Sequence, residues 1–85
     1  MKELRYVITD EIGLHARPAG LLVSTASKFD CNIKIKNKTK ETDAKSILGV
    51  MSLGVRTGEE IILTFDGEDE EKAYEAIKTF LEANL

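Results

Sequence analysis

Gly13-Leu14-His15-Ala16-Arg17-Pro18-Ala19-Gly20 is the stretch from which the rest of the chain is read. It holds the only histidine and the only proline of the 85 residues. Proline fixes φ near the helical value and has no N–H, so it belongs in the first turn of a helix and not beyond. After it, Ala19, Leu22, Val23 and Ala26 recur at the i, i+3, i+4, i+7 spacing of a buried helical stripe. The spacing predicts a helix from about Ala16 to about Lys28, with Pro18 in its first turn and His15 at or just before its start. The first N–H groups of a helix have no partner, and the macrodipole adds about half a positive charge there. Such an end favours phosphate. Arg17 adds a planar cation suited to phosphate oxygens. A neutral imidazole beside this anion site can attack phosphorus and hold the product, with the Ala16 amide and Arg17 around it. The plainer alternative is a histidine that only caps a helix.

Composition narrows the function classes. Apolar residues make up 42% and charged residues 32%, the balance of a globular fold. Residues 1–85 read as one small domain with a single thin core. The formal net charge of −3 argues against sequence-independent binding of nucleic acid, which needs a basic excess. The single cysteine cannot form an internal disulfide, and no Cys/His spacing suggests a metal site. There is no nucleotide loop and no sign of a cofactor. No apolar run is long enough to span a membrane and no signal peptide is apparent, so the expected location is the cytoplasm. Nothing demands more than a monomer.

The flanking segments alternate. Leu4, Tyr6 and Ile8 face one way in a strand expected over Lys2–Thr9. Cys31, Ile33 and Ile35 alternate with Asn32, Lys34 and Lys36 in a second strand; Asn37-Lys38 reads as a turn and Thr39–Thr42 as a short return. Lys34, Lys36, Lys38 and Lys40 read as a solvated sheet face or a guarded edge, and Cys31 as a small buried hydrophobe. Ile61, Leu63 and Phe65 mark a last strand over Glu59–Phe65. Glu68-Asp69-Glu70-Glu71 then opens a final helix, its carboxylates read as capping, with Ala73, Tyr74, Ile77, Phe80 and Leu81 on one stripe.

A second informative stretch is Lys45-Ser46-Ile47-Leu48-Gly49-Val50-Met51-Ser52-Leu53-Gly54. Ser46 suits an N-cap and Gly54 a left-handed helix end. Ile47, Leu48, Val50, Met51 and Leu53 are too many apolar residues for one narrow stripe. Either some face outward as a partner surface or the helix is wedged into the core.

The order strand, helix, strand, strand, short helix, strand, helix predicts an α+β open-faced β-sandwich. Its four-stranded antiparallel sheet carries three helices on one face, with room for the last strand to insert between the first two.

The two stretches, about thirty residues apart in a chain of this length, resemble the HPr family, the histidine-containing phosphocarriers of the bacterial sugar phosphotransferase system. The resemblance covers the whole chain. It implies that His15 accepts a phosphoryl group on Nδ1 from phosphoenolpyruvate by way of enzyme I and passes it to the A domains of sugar-specific enzymes II. Arg17 would steady the group. Ser46 would match the serine modified with ATP by HPr kinase/phosphorylase in Gram-positive-type bacteria. Ile47, Leu48 and Met51 would dock enzyme I, the enzymes II and a CcpA-type regulator. Such a protein is a carrier with no turnover of its own, not an enzyme. Ile12 departs from the small polar residue usual near the phosphate, Gly20 from the usual Ala or Thr, and Leu48 from a frequent Met. Two alternatives stand beside the carrier. One is a regulatory module like Crh, which keeps the serine but lacks the active histidine. The other is an interaction domain in which His15 only caps a helix.

Overall fold

Period-two patterning on three segments, a short return strand after the Asn37-Lys38 turn and apolar faces on three helices are satisfied together by one sheet with helices on one side. The computed structural model describes residues 1–85. In chain order the elements are β1 (Lys2–Val7), α1 (Ala16–Ala26), β2 (Asn32–Lys36), β3 (Glu41–Asp43), α2 (Ile47–Ser52), β4 (Glu60–Asp66) and α3 (Glu70–Asn84). The strand order is β1-β4-β2-β3 and every neighbouring pair is antiparallel. β4 therefore inserts between β1 and β2, as the element order requires.

Register decides which side chains meet the helices. Leu4 pairs with Leu63, Leu63 with Ile35, and Ile35 with Thr42, forming a row under the helices. Ile33, Ile35, Ile61, Leu63 and Phe65 are buried there, with Ala19, Leu22 and Ala26 from α1, Val50 from α2, and Ala73, Ile77 and Leu81 from α3. Phe65 meets the Tyr74 ring edge-on, with centroids 5.8 Å apart. The opposite face carries the rows Glu3–Thr64–Lys34–Asp43 and Arg5–Ile62–Lys36–Glu41. Each lysine of β2 thus lies opposite a carboxylate of β3, and the face neutralises itself. No helix is long and apolar enough to cross a membrane.

Boundaries differ from the sequence reading where long-range bonds intervene. β1 ends at Val7 because the Thr9 N–H leaves the ladder to donate to the Leu85 carbonyl at 2.6 Å. α1 stops at Ala26, and β3 begins only at Glu41 because Asn37 Oδ1 accepts the N–H groups of Thr39 and Lys40. The acidic run also behaves differently from expectation. Asp69 is the N-cap residue of α3, but its carboxylate does not cap that helix. Oδ2 and Oδ1 instead accept the N–H groups of Asp30 and Cys31 at 2.8 and 2.9 Å, tying the α1–β2 loop to the start of α3. The Asp30 N–H, foremost among these contacts, holds the Asp69 carboxyl below the usual carboxylate range. Glu70 Oε1 accepts the Gly67 N–H and fastens the same corner. Burial, with Asp69 beside it, pushes the Cys31 thiol up to about 11 and keeps it neutral.

Gly20 lies inside α1, where glycine costs roughly 0.5–1 kcal/mol relative to alanine. A Cβ there would sit 3.6 Å from Ile47 Cδ1, an ordinary contact. Gly20→Ala is therefore expected to stabilise the domain by about that amount and to raise its thermal midpoint by about 2–8 °C. An unchanged or lower midpoint in a thermal melt would show that the helices cannot accept the methyl group.

Candidate functional site

The loop from β1 to α1 is clamped at both ends. Ile8 donates its N–H to Glu59 and accepts one from Gly58. The N–H groups of Thr9 and Asp10 and the Thr9 hydroxyl all donate to the Leu85 carbonyl. The Asp10 carbonyl accepts from the Gly13 N–H at 3.0 Å and from the Thr57 hydroxyl. Leu14, 6% exposed, is a buried anchor, and its N–H donates to Val55 at 3.0 Å. A loop this well pinned presents the next residue, His15, in a fixed place.

His15 is the N-cap residue of α1 by backbone position, with φ −98° and ψ −175°. Its side chain caps nothing. That separates it from a capping histidine, whose ring would accept an N–H of the first turn. The imidazole is about one-third exposed, and its Nε2 lies 3.9 Å from Asp10 Oδ1. Pro18 has no N–H, and the Ala19 N–H donates to the His15 carbonyl at 3.0 Å. The amides of Ala16 and Arg17 are left as the free donors at the helix end. Arg17 is exposed and its guanidinium is engaged in no ion pair. Asp10, His15, Arg17, Pro18, Leu21 and Asn84 line a shallow depression of about 310 Å³. A partly exposed imidazole, two free amides and an uncommitted guanidinium can receive a phosphoryl group without displacing any existing hydrogen bond.

A wider depression of about 620 Å³ lies at the other end of β4, lined by Asp30, Asp66, Glu68, Asp69, Glu71, Lys72 and neighbours. Its carboxylates give it the wrong sign for phosphate. No group of His, Cys, Asp or Glu is arranged to hold a metal ion.

Ser46 is the N-cap residue of α2, and its Oγ accepts the Gly49 N–H at 3.1 Å. Gly54 follows the helix at φ 59°, as a left-handed end requires. The apolar residues of this segment divide. Val50 and Leu53 are buried, whereas Ile47, Leu48 and Met51 are 45%, 81% and 41% exposed. Ile47 rests on α1 at Gly20. One residue further along α1, Leu21 is 48% exposed on the rim of the His15 depression. Sequence patterning did not single out Leu21, because the stripe Ala19, Leu22, Val23 and Ala26 already accounts for the buried face of α1. Asp10 likewise stands outside the strand and helix patterns. The available signal was a short acidic side chain two residues before an N–H it can cap, the Asx-turn pattern. Ile12, 71% exposed, supplies that N–H at 2.9 Å.

Known proteins bear on the family of this chain. The family pattern described as the phosphorylation site of the HPr component of the phosphotransferase system matches residues 2–83. Phosphocarrier protein HPr of Mycoplasma genitalium is 47% identical over 85 residues, covering 99% of this chain and 97% of its own. HPr of Mycoplasma capricolum is 46% identical over 78 residues, covering 92% and 88%. The fold also matches crystal structures of HPr from Thermoanaerobacter tengcongensis at 47% identity. One has a TM-score of 0.92 and covers 98% of this chain and 93% of the other; a second, of a dimer, has a TM-score of 0.78 and covers 98% and 95%. With the family pattern running almost end to end and identity near 47% over nearly the whole chain, the protein belongs to the HPr family, phosphocarriers of the phosphotransferase system that carry a phosphoryl group and are not catalysts of their own.

Proposed function

We propose that His15 is the phosphoryl acceptor, taking the group from enzyme I, which is charged by phosphoenolpyruvate, and passing it to the A domains of sugar-specific enzymes II. The observation that carries this reading is the uncapped, partly exposed imidazole at the helix start, beside the free amides of Ala16 and Arg17. A carrier must hold its phosphoryl group through diffusion without becoming a sink. One helix end and the exposed, solvated guanidinium of Arg17 form a moderate stabiliser of that kind. Partners supply whatever acid or base the transfer needs. Ile47, Leu48 and Met51 form the docking surface, extended by Leu21 toward His15. The protein acts in the cytoplasm as a monomer.

Ser46 is the regulatory site, phosphorylated with ATP by HPr kinase/phosphorylase. A phosphate there carries about −1.5 to −2 charges beside the apolar surface. It repels an acidic partner and is costly to desolvate, while a basic pocket on a CcpA-type regulator gains from it. Ser46→Asp keeps a side chain able to cap the Gly49 N–H, so the expected effect is on docking: transfer from enzyme I slows about tenfold with the fold unchanged. Equal transfer rates for the two proteins would remove Ser46 from this role.

The first test is intact-mass measurement after mixing with phosphoenolpyruvate, Mg²⁺ and a bacterial enzyme I, beside His15→Ala. Gain of one acid-labile phosphoryl group, absent from the variant, is the expected result. No gain by the folded wild-type protein would replace this reading with the Crh-like alternative, a binding module working through phosphorylated Ser46 and a CcpA-type regulator without sugar flux.

A further inference from the structure

A carboxylate lies beside Nε2 of the His15 ring. Asp10 Oδ1 lies 3.9 Å away. This carboxylate is held in place: Oδ1 accepts the Ile12 N–H at 2.9 Å, and the Asp10 backbone is bonded to Leu85, Gly13 and Thr57. Asp10 has no lysine or arginine partner, so the imidazole is the one basic side chain within ion-pair range of its carboxylate.

A neutral imidazole has one proton to place on two nitrogens, and the nitrogen without it is the nucleophile. We propose that Asp10 is a positioning residue for phosphoryl transfer: its carboxylate favours the proton on Nε2 and so leaves the lone pair on Nδ1. The proposal rests on the phosphohistidine reading above. In the step itself, the Nδ1 lone pair forms the N–P bond as the bond from phosphorus to the donor atom of enzyme I breaks, and the donor keeps that electron pair. The proton stays on Nε2, and the ring becomes cationic opposite Asp10. On transfer to an acceptor the N–P bond breaks and its pair returns to Nδ1. At 3.9 Å the contact is electrostatic, and a small ring rotation in the docked complex shortens it to a hydrogen bond. The arrangement also gives a role to the loop of Ile12. Its side chain offers no hydrogen bond to a phosphate, but its backbone N–H aims the carboxylate.

Asp10→Asn tests this with little change of shape, since the amide oxygen can still accept the Ile12 N–H. Asp10→Ser, which retains a cap without charge, serves as the second variant. Nitrogen-15 shifts of the His15 ring, recorded where the imidazole is neutral, read the tautomer; the Ile12 amide shift reports whether the turn survives. The wild type is expected to hold its proton on Nε2. Both variants are expected to lose that bias and to accept phosphoryl from enzyme I about tenfold more slowly, with the half-saturating carrier concentration unchanged because the docking surface is untouched. A phosphorylated wild type whose tautomer population and transfer rate are matched by Asp10→Asn with the Ile12 turn intact would overturn the proposal alone. A folded wild type that takes no phosphoryl group would overturn the phosphohistidine reading, and the proposal with it, whatever the ring shifts show.

Discussion

An alanine at position 13 is expected to lower the stability of the domain by about 3 kcal/mol or more and to remove phosphoryl acceptance with it. Gly13 has φ +82°, a conformation that L residues rarely adopt. A Cβ there would lie 2.6 Å from the Val55 carbonyl oxygen and 2.9 Å from Arg56 Cα. Both neighbours are backbone, so no side chain can swing aside to make room. Relief requires the loop before α1 to move away from the segment before β4. That movement breaks the hydrogen bond from Leu14 N–H to Val55, exposes Leu14 and shifts His15, the next residue. For a chain of this size, total stability is on the order of 4–13 kcal/mol, so the loss is a large part of it. Urea unfolding measures the stability change, and intact mass with enzyme I measures acceptance. A variant within about 0.5 kcal/mol of the wild type and fully phosphorylated would show that the loop is not fixed by this contact.

Leu48→Asp is expected to leave stability within about 0.5 kcal/mol and to slow transfer from enzyme I about 30-fold. Leu48 is 81% exposed, so its removal opens no cavity in the core. Asp at the second position of α2 is also favoured by the helix dipole. The loss falls on the partner complex, where a carboxylate at the centre of an apolar contact is desolvated without a counter-charge. A contact residue of this kind contributes about 2 kcal/mol to association, hence the factor of 30. The expected pattern is a raised half-saturating concentration of carrier in the enzyme I assay, with a coincident urea curve. Normal transfer kinetics in Leu48→Asp would move the docking surface elsewhere.

The features legible in the sequence were those set by near neighbours. Pro18 and the stripe Ala19, Leu22, Val23 and Ala26 placed the start of α1 within one turn, because helix register depends on residues three and four apart. Ser46 and Gly54 bracketed α2 for the same reason. Alternation of apolar residues marked three strands and the Asn37-Lys38 turn a short return strand, while the crowding of Ile47, Leu48, Val50, Met51 and Leu53 left open whether that helix was wedged into the core or faced partly outward. The boundaries that shifted were those decided by distant partners. Thr9 is drawn out of β1 by Leu85, and Asp69 turns from its own helix to the N–H groups of Asp30 and Cys31.

By itself, then, the sequence determined the elements, their order, and the position of His15 at a helix start, since these follow from side-chain spacing and from the backbone limits of proline and glycine. Only the tertiary structure decided what surrounds the imidazole. It left the ring uncapped beside the free amides of Ala16 and Arg17, set the Asp10 carboxylate opposite Nε2, and buried Val50 and Leu53 while exposing Ile47, Leu48 and Met51. The reason is geometric. A pattern along the chain states which face of an element is apolar, but which groups meet across a loop or between helices is fixed only when those faces close on a common core.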